Sequence, residues 1–297
     1  MALIFWENTL ITRDEKPVVA LLLGTENGMY ETNDSYCQAI EEAGGLPVQF
    51  GFDKVYDKLS VLKPDAVLLP GGAFRTPDCW YGKFEGDDSV NDRTKAYQEM
   101  IRYAQEFRLP LLGICAGIQL LAVSFSSLLI QKVDGHSCSG IDEAHSIRIQ
   151  AGSLLADIVG PKELVVNSRH NEAVNPNILG DELRITAMSE DGVVEAIEMV
   201  EPWCEFVLGV QFHPENLANK GNARCKKIFQ KTRQRPERSA VFFTFSNYLR
   251  LMAIFFLRPF SSCDFGIKTF KTPFSKSALA SSNFKSQGSG TVLLNDP

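Results

Sequence analysis

Over the first 230 residues, short runs of consecutive apolar positions alternate with stretches in which apolar residues recur every three or four. Val18 to Leu23 is such a run, closed by Gly24, and Asn33 to Ala43 then carries helical spacing that stops at Gly44 and Gly45. Leu46 to Phe50 predicts a second strand followed by a helix, and Asp65 to Leu69 a third strand that ends in Pro70, Gly71 and Gly72. Residues 73 to 93, rich in Gly, Pro, Asp and aromatics, read as a loop. Thr94 to Phe107 has helical periodicity and leads into the strand Leu109 to Ile114, with Cys115 at its end. Further short strands are predicted at Ser146 to Gln150, Glu163 to Asn167, Leu183 to Met188, Val193 to Met199 and Phe206 to Phe212, several of them antiparallel. Strands alternating with helices in this way build an α/β fold, a sheet covered by helices on both faces, and the late short strands make that sheet mixed.

The pattern changes after residue 230. Ser239 to Phe260 is apolar and aromatic, approaching the length of a membrane span, but Asn247, Arg250 and Pro259 interrupt or cap it. A central Arg costs about 2.5 to 3.5 kcal/mol to insert, so membrane association of this tail is not the favoured reading. From Ser261 the chain is rich in Ser, Phe and Lys without periodicity, the composition of a disordered segment. The expected organisation is therefore a folded domain over 17–230 and a basic, Phe- and Ser-rich tail over 231–297.

Charge supports the division. The formal net charge is -6, but from Lys231 onward ten Lys or Arg face three acids, leaving twenty basic and thirty-three acidic residues before it. An acidic domain argues against nucleic acid as a partner, since neutralising phosphates needs clustered basic side chains. Seven scattered cysteines, without the close pairing of a zinc site or a disulfide framework, read as reduced thiols in a cytoplasmic protein. The N-terminal residues lack the basic start and long apolar core of a signal peptide.

Three segments carry chemistry. LPLLGICAGIQ, over 109–119, sets Cys115 between small residues directly after an apolar strand and before a helix, which is the layout of a nucleophile elbow. The helix N-terminus behind it favours thiolate. GVQFHPE, over 209–215, ends a strand with His213 and places a carboxylate, Glu215, two residues on; an imidazole oriented by a carboxylate can take a thiol proton and return it to a leaving amine. LLPGG, over 68–72, can aim backbone N–H groups of Gly71 and Gly72 at a developing oxyanion, helped by the N–H of Ala116. His136 and His145 could ligate a metal but lack convincing partners in the sequence, and no metal site is expected.

Together these segments resemble the class I glutamine amidotransferases, and more narrowly the γ-glutamyl-γ-aminobutyrate hydrolase (peptidase C26) branch. The resemblance spans residues 17 to 230 and rests on GGLPVQF, LLPGGAF, LLGICAGIQLL, VVNSRHNEAV, SEDGVVEAIE and GVQFHPE, in the family's order. It implies a three-layer, flavodoxin-like sandwich with a mostly parallel central sheet, a Cys115–His213–Glu215 triad working through a γ-glutamyl thioester, and no metal or organic cofactor. It also implies a small γ-glutamyl substrate, with Gln119 and His170 bordering the glutamyl pocket, while the acidic residues of SEDGVVEAIE are expected on a solvated hairpin. Three positions depart from the branch: Ala116 stands where Arg usually follows the cysteine, Ser126 and Ser127 replace a Gly pair, and Ala73 replaces a polar residue. Beyond Glu215 one amphipathic helix is expected, of which Asn222 to Gln230 supplies only part. The tail has no counterpart in the family, and reads either as a partner- or membrane-associating extension or as a frameshifted end. A glutaminase subunit feeding a synthetase partner, and a degenerate binding module, are the competing functions.

Overall fold

The computed structural model describes residues 16–26, 29–83 and 85–232, together with the backbone of two short strands at Phe5–Trp6 and Thr9–Leu10. The apolar stretch at 239–260 and the rest of the tail beyond 232 lie outside the described residues. Among those described, no helix is long and apolar enough to cross a membrane.

A nine-stranded sheet organises the domain. Its strands are β1 (Val18–Leu22), β2 (Leu46–Phe50), β3 (Ala66–Leu69), β4 (Leu111–Ile114), β5 (His145–Ile149), β6 (Leu164–Val166), β7 (Leu183–Ser189), β8 (Val194–Met199) and β9 (Val207–Val210). In space they run β6-β5-β7-β8-β9-β4-β3-β1-β2. The stretch β2-β1-β3-β4-β9 is parallel throughout, and β8, β7, β5 and β6 extend it by successive antiparallel pairings. The sheet is thus parallel at its centre and mixed as a whole, as the pattern of long apolar runs followed by short alternating strands predicts.

Why the parallel strands read as unbroken apolar runs is visible in the packing. Val19 and Leu21 of β1, Leu68 of β3, Leu112 and Ile114 of β4 and Val210 of β9 face one layer, with α1 (Asp34–Glu42), α5 (Leu154–Val159), α6 (Pro214–Asn219) and α7 (Ala223–Thr232). Ala20, Leu22, Val67, Leu69, Leu111 and Val207 face the other, with α2 (Val55–Leu62), α3 (Asp92–Glu106) and α4 (Ala116–Ser124). Alternate residues of each strand therefore enter different cores, and both sets must be apolar. This is the three-layer α/β sandwich.

Local signals set the helix starts. Asn91 accepts from the Thr94 N–H at 2.9 Å to begin α3, and Ser153 accepts from Ala156 N–H at 3.0 Å to begin α5. Helix α4 lies unusually close to the sheet at Gly117, where a Cβ would stand 2.3 Å from the Leu69 carbonyl oxygen. The closing helix is fuller than Asn222 to Gln230 promises. It runs to Thr232 and buries Cys225, Ile228, Phe229 and Thr232, so the terminal layer is present. Arg224 at its start donates to the carbonyls of Val159, Gly160, Lys162 and Glu163, satisfying the end of α5 and the turn behind it.

Candidate active site

The carboxyl ends of β3, β4 and β9 meet at one point, and each delivers a residue expected from the sequence. Cys115 stands between β4 and α4 with φ 54° and ψ -103°, a left-handed-side conformation that costs a non-glycine residue energy and turns its side chain out of the strand. Its N–H is tied to the Val210 carbonyl at 2.9 Å, which fixes the elbow to the strand that delivers His213. His213 precedes α6, and its Nδ1 lies 2.7 Å from Oε1 of Glu215, which is almost fully buried. Since a carboxylate only accepts, Nδ1 carries the proton and Nε2 is left for the thiol.

The charges are coupled. Burial lowers the His213 pKa, but the Glu215 carboxylate and the charge of Cys115, which also hydrogen-bonds the ring, outweigh it and lift the group from 6.5 to about 10. The ring is thereby held as imidazolium at neutral pH.

Gly71 lies at the meeting point: a Cβ there would stand 2.8 Å from Cε1 of His213, 2.8 Å from the Tyr36 hydroxyl and 3.2 Å from Cβ of Cys115. The Gly71 N–H, expected at the oxyanion position, is instead donated to the Tyr36 hydroxyl at 2.8 Å. That hydroxyl also sits 3.3 Å from Nδ1 of His213. Burial, with the charges of Glu215 and Cys115, raises the Tyr36 pKa well above its ordinary value, so it stays a neutral phenol. Gly72 has φ +129° and no room for a side chain, because the Arg93 guanidinium occupies that space and donates to the Gly71 carbonyl at 2.7 Å. Tyr97 holds the preceding Pro70 carbonyl through its hydroxyl.

Asn167 clamps the other side. Its Oδ1 accepts from the His213 N–H at 2.8 Å and its Nδ2 donates to the His213 carbonyl at 2.9 Å. Gln119 and His170, expected at the pocket wall, do come together: Gln119 Nε2 donates to the Glu172 carbonyl at 2.7 Å, and the same carbonyl accepts from Nδ1 of His170 at 3.0 Å. Burial pushes His170 down to about 4, leaving it neutral.

Tyr36 and Arg93 carry no signal in the sequence, and Asn167 lies within VVNSRHNEAV without its own role being marked there. They act through the backbone of the site, and no motif marks a residue whose role is to hold another residue's peptide group. Two expectations need correction. His136 and His145 do have partners, for Glu195 of β8 stands 3.6 Å from the first and 3.4 Å from the second. Of the acids of SEDGVVEAIE, Glu190 and Asp191 are exposed as expected, but Glu195 and Glu198 are not. Glu195 is fully buried, and Glu198, also buried, accepts from the Leu155 N–H at 2.9 Å and from Arg184 at 3.0 Å. Strand β8 is interior to the sheet, between β7 and β9, and with a packed layer on each face every one of its residues is buried.

With this geometry in place, comparison with known proteins decides the family. The model of the peptidase C26 family matches residues 20–215, a span that takes in Tyr36, Gly71, Cys115, Asn167, His213 and Glu215. The chain belongs to the peptidase C26 family. This peptidase C26 protein is 31% identical over 233 residues to a Schizosaccharomyces pombe protein with the provisional name of a glutamine amidotransferase, covering 73% of the present chain and 85% of that one. It is 29% identical over 205 residues to the γ-glutamyl-γ-aminobutyrate hydrolase PuuD of Escherichia coli K12, covering 61% of the present chain and 77% of that enzyme. A crystal structure from Thermoplasma acidophilum, provisionally described as one subunit of GMP synthase, superposes with a TM-score of 0.53 at 17% identity, over 73% of this chain and 92% of that one, which shows the shared fold. The coarse activity that membership carries is amide-bond hydrolysis of the γ-glutamyl hydrolase or glutamine amidotransferase kind.

Proposed function

We propose that this protein hydrolyses γ-glutamyl amide bonds of small γ-glutamyl conjugates, with Cys115 as nucleophile, His213 as proton carrier and Glu215 as the group that orients it. The observation that carries the reading is the elbow cysteine on a strained backbone beside an imidazole locked to a buried carboxylate. In the reaction, Sγ of Cys115 adds to the amide carbonyl carbon and His213 gives its Nε2 proton to the departing amine, leaving a γ-glutamyl thioester. Water then loses a proton to His213 and adds to the thioester carbon; the C–S bond breaks, releasing the γ-carboxylate and restoring the thiolate. With the Gly71 N–H engaged by Tyr36, the oxyanion falls to the N–H groups of Gly72 and Ala116, the latter first in α4 and without a partner inside its own helix. Gln119 and the segment about His170 and Glu172 form the wall that meets the glutamyl portion, and the reaction needs no cofactor. The similarity to γ-glutamyl-γ-aminobutyrate hydrolases supports a small amine as the leaving group.

The test is glutamate release from γ-glutamyl-γ-aminobutyrate, γ-glutamyl-putrescine, glutamine and polyglutamate by the protein and by Cys115→Ala. Release by the first alone supports the thiol mechanism and names the leaving group. A folded protein that releases glutamate from none of them overturns the free-standing hydrolase and leaves a partner-dependent glutaminase or a binding module.

A further inference from the structure

Behind the wall formed by Gln119 and His170, four side chains from separated parts of the sequence converge: His136 from the loop before β5, His145 from the start of β5, His170 from the segment after β6, and Glu195 from β8. Oε1 of Glu195 is 3.4 Å from Nε2 of His145, 3.6 Å from Nδ1 of His136 and 3.7 Å from Nε2 of His170. Nδ1 of His136 is 3.2 Å from Nε2 of His170. The ligand atoms of His136, His145 and Glu195 all lie within 4.8 Å of one another.

Outer hydrogen bonds fix which nitrogens face inward. Nε2 of His136 donates to the Asp191 carboxylate at 3.0 Å, Nδ1 of His170 to the Glu172 carbonyl at 3.0 Å, and Nδ1 of His145 points at the Ser146 carbonyl at 3.4 Å. Each acceptor can only accept, so each neutral ring turns a lone pair toward the centre. The lone pairs of His136 and His145 and a Glu195 oxygen then converge, with His170 and the Ser168 hydroxyl, 3.1 Å from Nδ1 of His136, beside them; such a set repels itself unless a proton or a cation stands there. A carboxylate or carbonyl on the far nitrogen of each ring is also the way histidines are oriented toward metals.

A second observation points the same way. Glu195 is 0% exposed, and among the described residues neither of its oxygens has a hydrogen-bond partner, nor does Nε2 of His145. Buried carboxylates are ordinarily paired or bonded to a metal. The spacing suits the second: with metal–nitrogen and metal–oxygen bonds of about 2.0 to 2.1 Å, the edges of a tetrahedron are about 3.3 to 3.4 Å.

We infer that His136, His145 and Glu195, with His170 beside them, form a binding site for a borderline-soft divalent cation of the zinc type, separate from the Cys115 thiol. Imidazole with one carboxylate selects such an ion over calcium or magnesium, which take oxygen ligands. The three ligands come from separate parts of the chain, so the ion's role is structural. It ties β5 and β8 to the loop that carries His136, whose Nδ1 is 3.2 Å from Nε2 of His170, and so braces the segment whose Glu172 carbonyl receives Gln119. This inference stands whether or not Cys115 is a hydrolytic nucleophile.

The test uses the full chain, stripped with a chelator and titrated with Co(II) and then Zn(II), followed by visible absorption and thermal melting. One equivalent of Co(II) is expected to bind with the strong visible bands of tetrahedral coordination and to be displaced by Zn(II). At free zinc about 100-fold above Kd, Tm is expected to rise by about 5 to 10 °C. Glu195→Gln, nearly isosteric, should abolish the tetrahedral spectrum, and Asp191→Asn, which alters the outer bond to His136 and the bond from the Ser189 hydroxyl but no ligand atom, should weaken binding about 10- to 100-fold. Cys115→Ala should bind as the wild type does. Absence of binding by folded wild-type protein overturns the proposal in favour of a proton-sharing cluster. Binding lost in Cys115→Ala or unchanged in Glu195→Gln overturns it too, by assigning the ion to the thiol or to the surface.

Discussion

Replacing Asn167 with alanine is expected to damage the candidate site without touching any reacting atom. Both hydrogen bonds of the Asn167 side chain go to the peptide groups of His213, at 2.8 and 2.9 Å, and Asn167 is itself fully buried. Each bond contributes about 1 kcal/mol net, but truncation leaves a backbone N–H and a carbonyl without partners, at about 1 to 3 kcal/mol each. A total loss of about 3 kcal/mol follows, which for a domain of this size lowers Tm by about 6 to 12 °C. The loss should appear in catalysis as well, since a shift of His213 by a fraction of an ångström misaligns Nε2 with the thiol; at least a tenfold fall in kcat/KM is expected. Asn167→Asp sharpens the test. It keeps the acceptor for the His213 N–H but sets a second carboxylate oxygen against the His213 carbonyl, so it should be no better than alanine despite its shape. Thermal melts and glutamate-release kinetics on both variants check this. Wild-type Tm and kcat/KM in Asn167→Ala, or rescue by Asn167→Asp, would refute the clamp.

Gly71→Ala puts a methyl group within 2.8 Å of His213 and of the Tyr36 hydroxyl. A stability loss of about 1 to 3 kcal/mol and a fall in activity of about 100-fold are expected, measured by denaturant unfolding and steady-state kinetics. Tyr36→Phe removes the acceptor of the Gly71 N–H, and kcat should fall about tenfold through loosening of that turn; a faster enzyme would instead return the oxyanion role to Gly71. The His213 ring should titrate near 10 by NMR, and lower in Cys115→Ala and Glu215→Gln, which remove the charges that raise it. Because the folded value lies above the ordinary 6.5, the stability from this ion pair is full below about 6.5 and is lost as pH rises through about 10, so melts of the wild type should converge on those of Glu215→Gln toward alkaline pH.

The features legible in the sequence are those that chain-local physics encodes. Val18 to Leu23 and Leu109 to Ile114 read as strands because both of their faces are buried, and Cys115 stands out because a thiol between small residues after such a strand occurs in one chain with His213 and Glu215 at the end of another strand. His213 and Glu215 are visible because they are two residues apart. The histidine–carboxylate cluster is not, since residues 136, 145, 170 and 195 share no spacing and meet only through the antiparallel pairings of β5, β7 and β8. Glu195 looks like a surface acid because hairpin acids usually are, and only the sheet order reveals that β8 has a strand on each side. Tyr36 sits on the apolar face of α1, where a tyrosine reads as core until its hydroxyl is traced to Gly71.

The place of β9 in the sheet has a consequence for how the protein is made. This strand lies between β4 and β8 and joins the parallel half of the sheet to the antiparallel half, yet among the described residues it is the last strand to be synthesised. The fully apolar β4 is finished about 100 residues before its neighbour exists. At about 5 to 20 residues per second it waits about 5 to 20 s with an open, hydrophobic edge. The nascent chain therefore passes through an interval in which pairing with another copy competes with its own completion, and shielding of that edge on the ribosome governs how much of it reaches the native state.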